Sequence, residues 1–250
     1  MRRITAAALL GIALLLTATG APAGAAEIRV LSTVGMQPAT PTVFAEFEAA
    51  TGHKVAVTYG LAAVLKTSVL DGARADVLIL TGPAIDELVK AGKVVAGTRI
   101  DVARSGVGVG VKAGASRPDI STPDALKNSL LAATSIGYSR EGASGVAFAR
   151  AVERLGVAEQ VKAKYKDTGT KAGEMVAAGD IELAAAQIPE LLAVPGVDVI
   201  GPLPAELQTV TIFSVGLMAE AGDSAAAKAL IEFLAGPRAT PVYKAKGLGG

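Results

Sequence analysis

The chain has 250 residues, of which 51% are apolar and only 4% aromatic, with no Trp and no Cys. The absence of Cys excludes disulfides, a thiol nucleophile, a CxxC redox pair and an acylated cysteine anchor, and one His makes a transition-metal site an improbable one. The 24 basic and 23 acidic residues nearly balance, which does not favour nucleic acid or an acidic membrane surface as a partner. We therefore expect neither a cofactor nor a metal.

The first 26 residues have the pattern of a secretory signal peptide. Arg2 and Arg3 precede an apolar run, Ile4 to Leu16, which is short for a membrane helix, and small residues follow it. A membrane anchor is the alternative, but no charged stop-transfer segment follows the run. We expect an exported, monomeric protein that begins at Glu27, has no stable membrane insertion and, in a Gram-negative bacterium, is periplasmic.

Three strand–loop–helix units follow the leader, as in a doubly wound α/β sheet. Alternating or continuous apolar runs predict the strands at 27–31, 54–59 and 76–80. The helices are predicted from Thr40 to Gly52, over 62–70, and after Thr81-Gly82-Pro83, because Thr and Pro favour helix starts and Gly favours helix ends.

The residue pattern changes at 104–112, and this change predicts a crossing into a second lobe. Valines alternate with glycines there, and glycine in a strand often marks a bend or close backbone approach. Helices are predicted after Thr122, over 146–155, 158–165 and 171–178, with strands near 134–138, 181–187 and 197–200. The apolar run 210–218 returns the chain to the first lobe, where two helices end it. The predicted lobes are 27–102 with 222–250, and 103–221.

In the order and spacing of its motifs, the mature sequence resembles the type 2 periplasmic solute-binding proteins, in the branch of the molybdate-binding ModA proteins. The segments that carry the resemblance are FAEFEAATGHKVAVTYG (44–60), DGARADVLIL (71–80), GVGVGV, GPLPAEL (201–207) and AAAKALIEFLAGP near the end. The resemblance implies a clamshell of two doubly wound α/β lobes joined by two crossings. It also implies a small anionic ligand between the lobes and an ABC-type permease as partner.

Departures from the molybdate-binding pattern point towards an organic acid. Family members typically use a serine after the first strand and a Ser-Ser-Gly turn after the second. Here Ser32 and Thr33 occupy the first loop, whereas the second reads Tyr59-Gly60 and lacks the serines. The loop 139–145 carries Arg140, whose planar guanidinium suits a carboxylate.

We predict ligand binding by residues at strand ends and helix starts, where open α/β sheets bind ligands and helix N-termini favour anions. Structural roles stay open for several of them: a helix cap for Thr81, a solvated charge for Arg140 and a structural hydrogen bond for Gln187. The only histidine, His53, is expected at the opposite edge of the sheet. The predicted ligand-binding residues are Ser32, Thr33, Tyr59, Gly60, Thr81, Arg140, Ser144, Gly145 and Gln187.

The expected function is capture of a small anion, an oxyanion or a carboxylate, without chemistry. The alternative is an enzyme, because QIPELL (187–192) and LPAELQ resemble the aconitate isomerase subgroup of the same branch. That reaction is an allylic proton shift and needs a base, for which Tyr59, Glu141, Glu190 and a deprotonated hydroxyl are the candidates. No catalytic residue is predicted.

Overall fold

The computed structural model describes residues 24–249. The predicted signal peptide lies outside the described residues except for its last three. Within residues 24–249, none of the helices combines the length and apolar character needed to cross a membrane.

Strands and helices alternate along most of the described chain. The strands are β1 (Glu27–Thr33), β2 (Lys54–Gly60), β3 (Val77–Thr81), β4 (Ile100–Ser105), β5 (Val107–Lys112), β6 (Ile136–Tyr138), β7 (Tyr165–Asp167), β8 (Leu183–Gln187), β9 (Val197–Pro202) and β10 (Thr211–Leu217). The helices are α1 (Thr40–Thr51), α2 (Ala62–Leu70), α3 (Gly82–Lys90), α4 (Pro123–Ala132), α5 (Ala143–Arg154), α6 (Ala158–Lys162), α7 (Ala172–Ala178), α8 (Ile188–Leu192), α9 (Ser224–Ala235) and α10 (Ala239–Ala245).

Two five-stranded mixed sheets form the two lobes. The first has the order β2-β1-β3-β10-β4, in which β1 is parallel to β2 and β3, and β10 is antiparallel to both its neighbours. The second has the order β7-β6-β8-β5-β9, with β6 parallel to β7 and β8 and with β5 antiparallel to its neighbours. Both sheets carry helices, so the predicted two-lobed α/β architecture is confirmed.

Sheet membership differs from the predicted limits of the lobes. β4 and β10 belong to the first sheet, although residues 103–105 and 211–217 were predicted in the second lobe. The residue pattern of a strand cannot reveal this, because only pairing decides which sheet it joins: β5 and β10 are both largely apolar and buried, yet they belong to different sheets. We therefore propose that the chain crosses at Gly106 and again within residues 203–210.

Apolar burial on both faces of the first sheet explains its sequence. β3 reads VLILT, and its first four residues are fully buried, as expected for a strand covered by helices on both sides. Val77 and Ile79 pack with α1 and α9, whereas Leu78 and Leu80 pack with α2 and α3. Alternate residues of one strand thus reach two different core clusters.

Two predicted helices have different limits in the structure. The predicted helix 158–165 ends at Lys162, and β7 takes its last residue, Tyr165, which lies beside Tyr138 with ring centroids 4.4 Å apart. Helix α5 begins at Ala143, three residues before the predicted start, since Gly142 rather than a later residue takes the extended N-cap conformation. The second difference places Ser144 in the first turn of a helix.

A buried carboxylate joins β3 to β1 and to the segment after β10. Asp76 accepts hydrogen bonds from the backbone N–H groups of Arg29 (2.7 Å) and Gly222 (2.8 Å), and from the Arg29 guanidinium (3.2 and 3.3 Å). Burial opposes ionisation, but the hydrogen bonds from Arg29 and Gly222 outweigh it and hold the pKa of Asp76 below its usual value. The carboxylate is therefore ionised at neutral pH.

Replacing this carboxylate with an amide should destabilise the fold. In Asp76→Asn an amide NH2 would face N–H donors, which leaves buried groups unpaired, so we expect a loss of about 2–3 kcal/mol in the free energy of unfolding at pH 7. The difference should narrow below about pH 4, because the stability that a depressed carboxyl pKa contributes is lost as the pH falls through that pKa. Urea unfolding measures both; equal stability of Asp76→Asn and the exposed control Asp71→Asn would contradict the assignment.

Candidate functional site

A narrow cleft lies between the two sheets and encloses about 20 Å³. Its walls come from residues at or after the carboxyl ends of β1, β2, β6, β7 and β8, and from one residue of β10. Parallel strands of open α/β sheets place ligands at this edge. The enclosed space is about the size of one water molecule, so a larger ligand would enter only with the lobes further apart.

The first lobe contributes a hydroxyl and an apolar floor. Thr33 ends β1, is 6% exposed and lines the cleft, as do Gly35 in the following turn and the ring of Phe213 on β10. A Cβ at Gly35 would lie 2.8 Å from the Phe213 ring. Glycine at this position therefore lets the turn approach the aromatic floor closely.

The second lobe contributes the start of helix α5. Its N-cap Gly142 and the next two residues, Ala143 and Ser144, line the cleft. A Cβ at Gly145 would lie 1.7 Å from the carbonyl oxygen of Ser139, so the helix start packs directly on the backbone that follows β6. Backbone N–H groups in this first turn and the positive end of the helix dipole favour an anion.

Two buried polar side chains of the second lobe have atoms without a protein partner. The Thr168 hydroxyl and the Gln187 Oε1 atom, both at cleft-lining residues, have no hydrogen bond within residues 24–249. The amide nitrogen of Gln187 is 2.8 Å from the Thr211 hydroxyl. Since a hydroxyl can donate as well as accept, a 180° rotation of this amide would keep that contact and free the NH2 group for a ligand.

A carboxyl group also lines the cleft. Glu190 lies in the first turn of the short helix α8, and within residues 24–249 its carboxyl has neither a hydrogen bond nor an ion pair. A Cβ at Gly35 would lie 3.3 Å from its Oε1 atom, which places the carboxyl beside the turn of the first lobe. Burial, with a smaller contribution from the negative charge of Glu174, raises the pKa of Glu190 to about 7.

The chemistry of the cleft is almost entirely neutral. Apart from Glu190, the described residues that line it have no ionisable side chain. Hydroxyls, an amide and backbone N–H groups are thus the groups available to a ligand. The described residues also contain no group of three or more His, Cys, Asp and Glu side chains placed to hold a metal ion.

The structure brings three of the nine predicted site residues together as lining of the cleft: Thr33, Ser144 and Gln187. Gly145 lies directly behind Ser144 and shapes the helix start. The ligand roles of all nine remain predictions.

The other predicted residues near the first lobe are not among the lining residues. The Ser32 hydroxyl is buried and lies 3.3 Å from the Thr33 carbonyl oxygen, and the Tyr59 hydroxyl is 2.7 Å from that of Thr40. Gly60 pairs with Thr33 across the sheet. Thr81 lies at the N-cap of α3, makes no side-chain cap hydrogen bond, and lines an adjoining hollow that shares Ala62 and Ala143 with the cleft.

Arg140 lies outside the cleft. Its side chain is 73% exposed, with the guanidinium Nε 4.0 Å from Asp167 and its Cζ 5.9 Å from the centre of the Tyr165 ring. The sequence showed that this loop carries a charge, but not which way the Arg140 side chain points. β7 pairs with β6, and this pairing brings Asp167 close to Arg140, outside the cleft. His53 is also structural: its Nδ1 accepts from the Ala26 N–H at 3.1 Å and its ring stacks on Phe47.

Several lining residues were not predicted as ligand contacts. Thr168 follows β7, for which no strand was predicted and whose first residue, Tyr165, was placed in a helix, so the position of Thr168 at a strand end was not recognised. Phe213 belongs to a strand that crosses between lobes, and no local pattern indicates which of its faces meets the cleft. The other unpredicted lining residues with polar side chains are Ser139 and Glu190.

A side chain at Gly145 should displace the first turn of α5, which forms one wall of the cleft. Gly145→Ala forces the start of α5 away from the Ser139 carbonyl, and overpacking against the backbone should cost about 1–3 kcal/mol in the free energy of unfolding. Gly201→Ala is the matched control, because a Cβ there meets nothing within 4 Å. Thermal unfolding of both variants measures the difference, and equal effects would contradict the close packing at Gly145.

Comparisons with known proteins agree with this geometry. The family model described as bacterial extracellular solute-binding protein matches residues 28–249. The chain is 32% identical to an aconitate isomerase of Pseudomonas sp over 228 residues, which cover 88% of this chain and 87% of the relative. It is 29% identical to the molybdate-binding protein ModA of Azotobacter vinelandii over 237 residues, 91% of each chain. The solved structure of the periplasmic molybdate-binding protein from that organism superposes with a TM-score of 0.77, 18% identity and coverage of 88% and 98%.

Proposed function

Because this chain belongs to the bacterial extracellular solute-binding proteins, we propose that it captures a small anion between its lobes and passes it unaltered to an ABC-type permease. The signal peptide expected from residues 1–26 would deliver it to the periplasm. Hinge closure of two lobes around a ligand is the usual mechanism of such proteins.

The observation that carries this proposal is the set of neutral donors with no protein partner. Thr33 and Ser144 line the same cleft from different lobes, and within residues 24–249 the Thr168 hydroxyl beside them has no hydrogen-bond partner. The first turn of α5 adds free N–H groups beside Ser144. An anion between the lobes would receive hydrogen bonds from both and would hold the lobes together.

Removing both hydroxyls should weaken anion binding without unfolding the protein. Each hydrogen bond to a charged ligand contributes about 1.5–3 kcal/mol, so the double variant Thr33→Val with Ser144→Ala should lose at least about 100-fold in affinity. Isothermal titration calorimetry measures the affinity, and the thermal transition without ligand should move little. Ser68→Ala, an exposed hydroxyl on α2, is the control. Unchanged affinity in the double variant would refute the site.

The class of ligand can be tested directly by thermal shift. Molybdate, tungstate and sulfate test the tetrahedral oxyanions, and citrate and the two aconitates test the carboxylates. A ligand that binds only the folded state raises the transition temperature according to its affinity. We expect one class to stabilise the wild type and to lose its effect in the double variant. No stabilisation by any of the six anions would count against anion capture.

A second candidate, an aconitate isomerase, is favoured by Glu190. Its carboxyl lines the cleft, and a pKa of about 7 suits proton transfer at neutral pH. As a carboxylate it could remove a proton from the methylene carbon of an aconitate. The double bond would then migrate and the proton return at the other end of the allylic unit, so that the composition is unchanged. The aconitate isomerase relative supports this candidate.

Turnover distinguishes the two candidates. A proton NMR time course of the wild type with cis-aconitate or trans-aconitate should show no interconversion if the protein only binds. Interconversion that disappears in Glu190→Gln but persists in Glu206→Gln, an exposed glutamate, would establish the isomerase and overturn simple capture. Interconversion that persists in Glu190→Gln would assign the proton transfer to another group.

A further inference from the structure

Glu190 creates an electrostatic problem for an anion-binding cleft. It is the only ionisable side chain among the described residues that line the cleft, and it is an acid. An anion and an ionised glutamate would share a partly desolvated space with no cationic side chain between them, and such like charges repel strongly at low dielectric.

We propose that Glu190 takes up a proton when an anion enters the cleft and donates that proton as a hydrogen bond to the anion. The inference rests on the proposed capture of an anion and identifies how the cleft accommodates it. The neutral carboxyl removes the repulsion and adds one donor to the hydroxyl and N–H set. The hydrogen bond joins the Glu190 carboxyl oxygen, through its proton, to an oxygen of the ligand.

A route for this proton is present beside the cleft. Glu190 also lines a neighbouring surface hollow, together with Gln37, Thr170 and Glu174. Among the described residues that line the hollow, the only other ionisable side chain is that of Glu174, on α7, and it is exposed. The carboxyl of Glu190 thus lies between the ligand space and solvent, and its proton can exchange through the hollow while the cleft is occupied.

The remaining charged groups near α8 do not compensate for an ionised Glu190. Lys112 lies on β5 and Asp198 on β9, and both strands pack against α8. Val107 begins β5 and pairs with Gln187 beside the cleft, whereas Lys112 and Asp198 lie at the other end of β5. Lys246 is exposed in the tail that packs on α8. None of them forms an ion pair with Glu190 within residues 24–249.

The inference predicts that affinity falls as the pH rises. With a pKa of about 7 in the free protein and a higher pKa in the complex, the dissociation constant should increase about tenfold for each pH unit above 7. It should therefore be roughly 30-fold larger at about pH 8.5 than at about pH 6. Glu190→Gln keeps a neutral donor, so its affinity should be nearly constant over that range. Glu206→Gln should behave as the wild type.

Calorimetry and NMR test the inference separately from the proposed function. The probes are molybdate and trans-aconitate. At about pH 7.5, heats measured in HEPES and in Tris, which differ in ionisation enthalpy, should reveal uptake of most of one proton per bound anion in the wild type and none in Glu190→Gln. The carbon-13 resonance of the Glu190 carboxyl, assigned by its absence in Glu190→Gln, should titrate near pH 7 without anion and at a higher pH with it.

The outcomes separate the two proposals. An anion that stabilises the protein while the Glu190 resonance keeps its midpoint, or binds without proton uptake, would overturn this inference and leave anion capture intact. A midpoint near the ordinary value of about 4.3 in the free protein would also overturn it. If neither probe stabilises the protein at either pH, anion capture itself fails, and this inference with it. Glu190→Gln should fold at least as stably as the wild type above pH 7, because it removes an unfavourable buried charge.

Discussion

Strand β10 joins the core of the first lobe to the cleft. It arrives from the second lobe and pairs antiparallel between β3 and β4, so the sheet is incomplete without it. Val215 and Leu217 pack in the main core cluster, while Phe213 belongs to the same cluster and also forms part of the cleft floor. The Ser214 hydroxyl donates to Asp101 at 2.6 Å and ties β10 to β4 beside the register shift between Phe213 and Ser214. The position of the floor is therefore set by the same hydrogen bonds that build the sheet, and the second lobe is attached to the edge of a completed core.

A cleft without cationic side chains limits how an anion can be held. The binding energy must come from preorganised neutral dipoles, because water is partly excluded and no counter-ion compensates the ligand charge. The packing of Gly145 on Ser139 is important for this reason: it fixes the direction of the first turn of α5 and thus of its free N–H groups. A neutral site also distinguishes ligands by the placement of their oxygens more than by their total charge. Molybdate and a small carboxylate would therefore need different spacing of the same kinds of donor.

The sequence was sufficient for the fold, and it predicted three of the residues that line the cleft. Strand and helix patterns predicted the first lobe closely, since β1 has alternating burial, β3 is continuously apolar and α3 is strongly amphipathic. Gly52 ends α1 in the left-handed conformation, as expected. Thr33, Ser144 and Gln187 were found because residues at strand ends and helix starts share one edge of a sheet. The sequence failed where pairing between distant segments decides the outcome. It did not predict that Tyr165 joins a strand or that Arg140 turns to Asp167. It recognised the run 210–218 as the return crossing but not as a strand paired within the first sheet.

Glu190 is where stability and function oppose each other. A glutamate whose pKa rises from about 4.3 in the unfolded chain to about 7 in the folded protein costs nothing at low pH. It progressively destabilises the fold as the pH rises from about 4.3 to about 7, and the loss stays at roughly 3–4 kcal/mol above that. Glutamine would avoid that cost, with nearly the same shape. A carboxyl retained beside a ligand space is therefore better explained by its proton than by its packing. In a binding protein the proton would stay on Glu190 while the anion is bound. In an isomerase the carboxyl would have to be ionised at the start of the reaction. The difference between the two candidate functions of this cleft thus reduces to the protonation state of one side chain when the ligand is present.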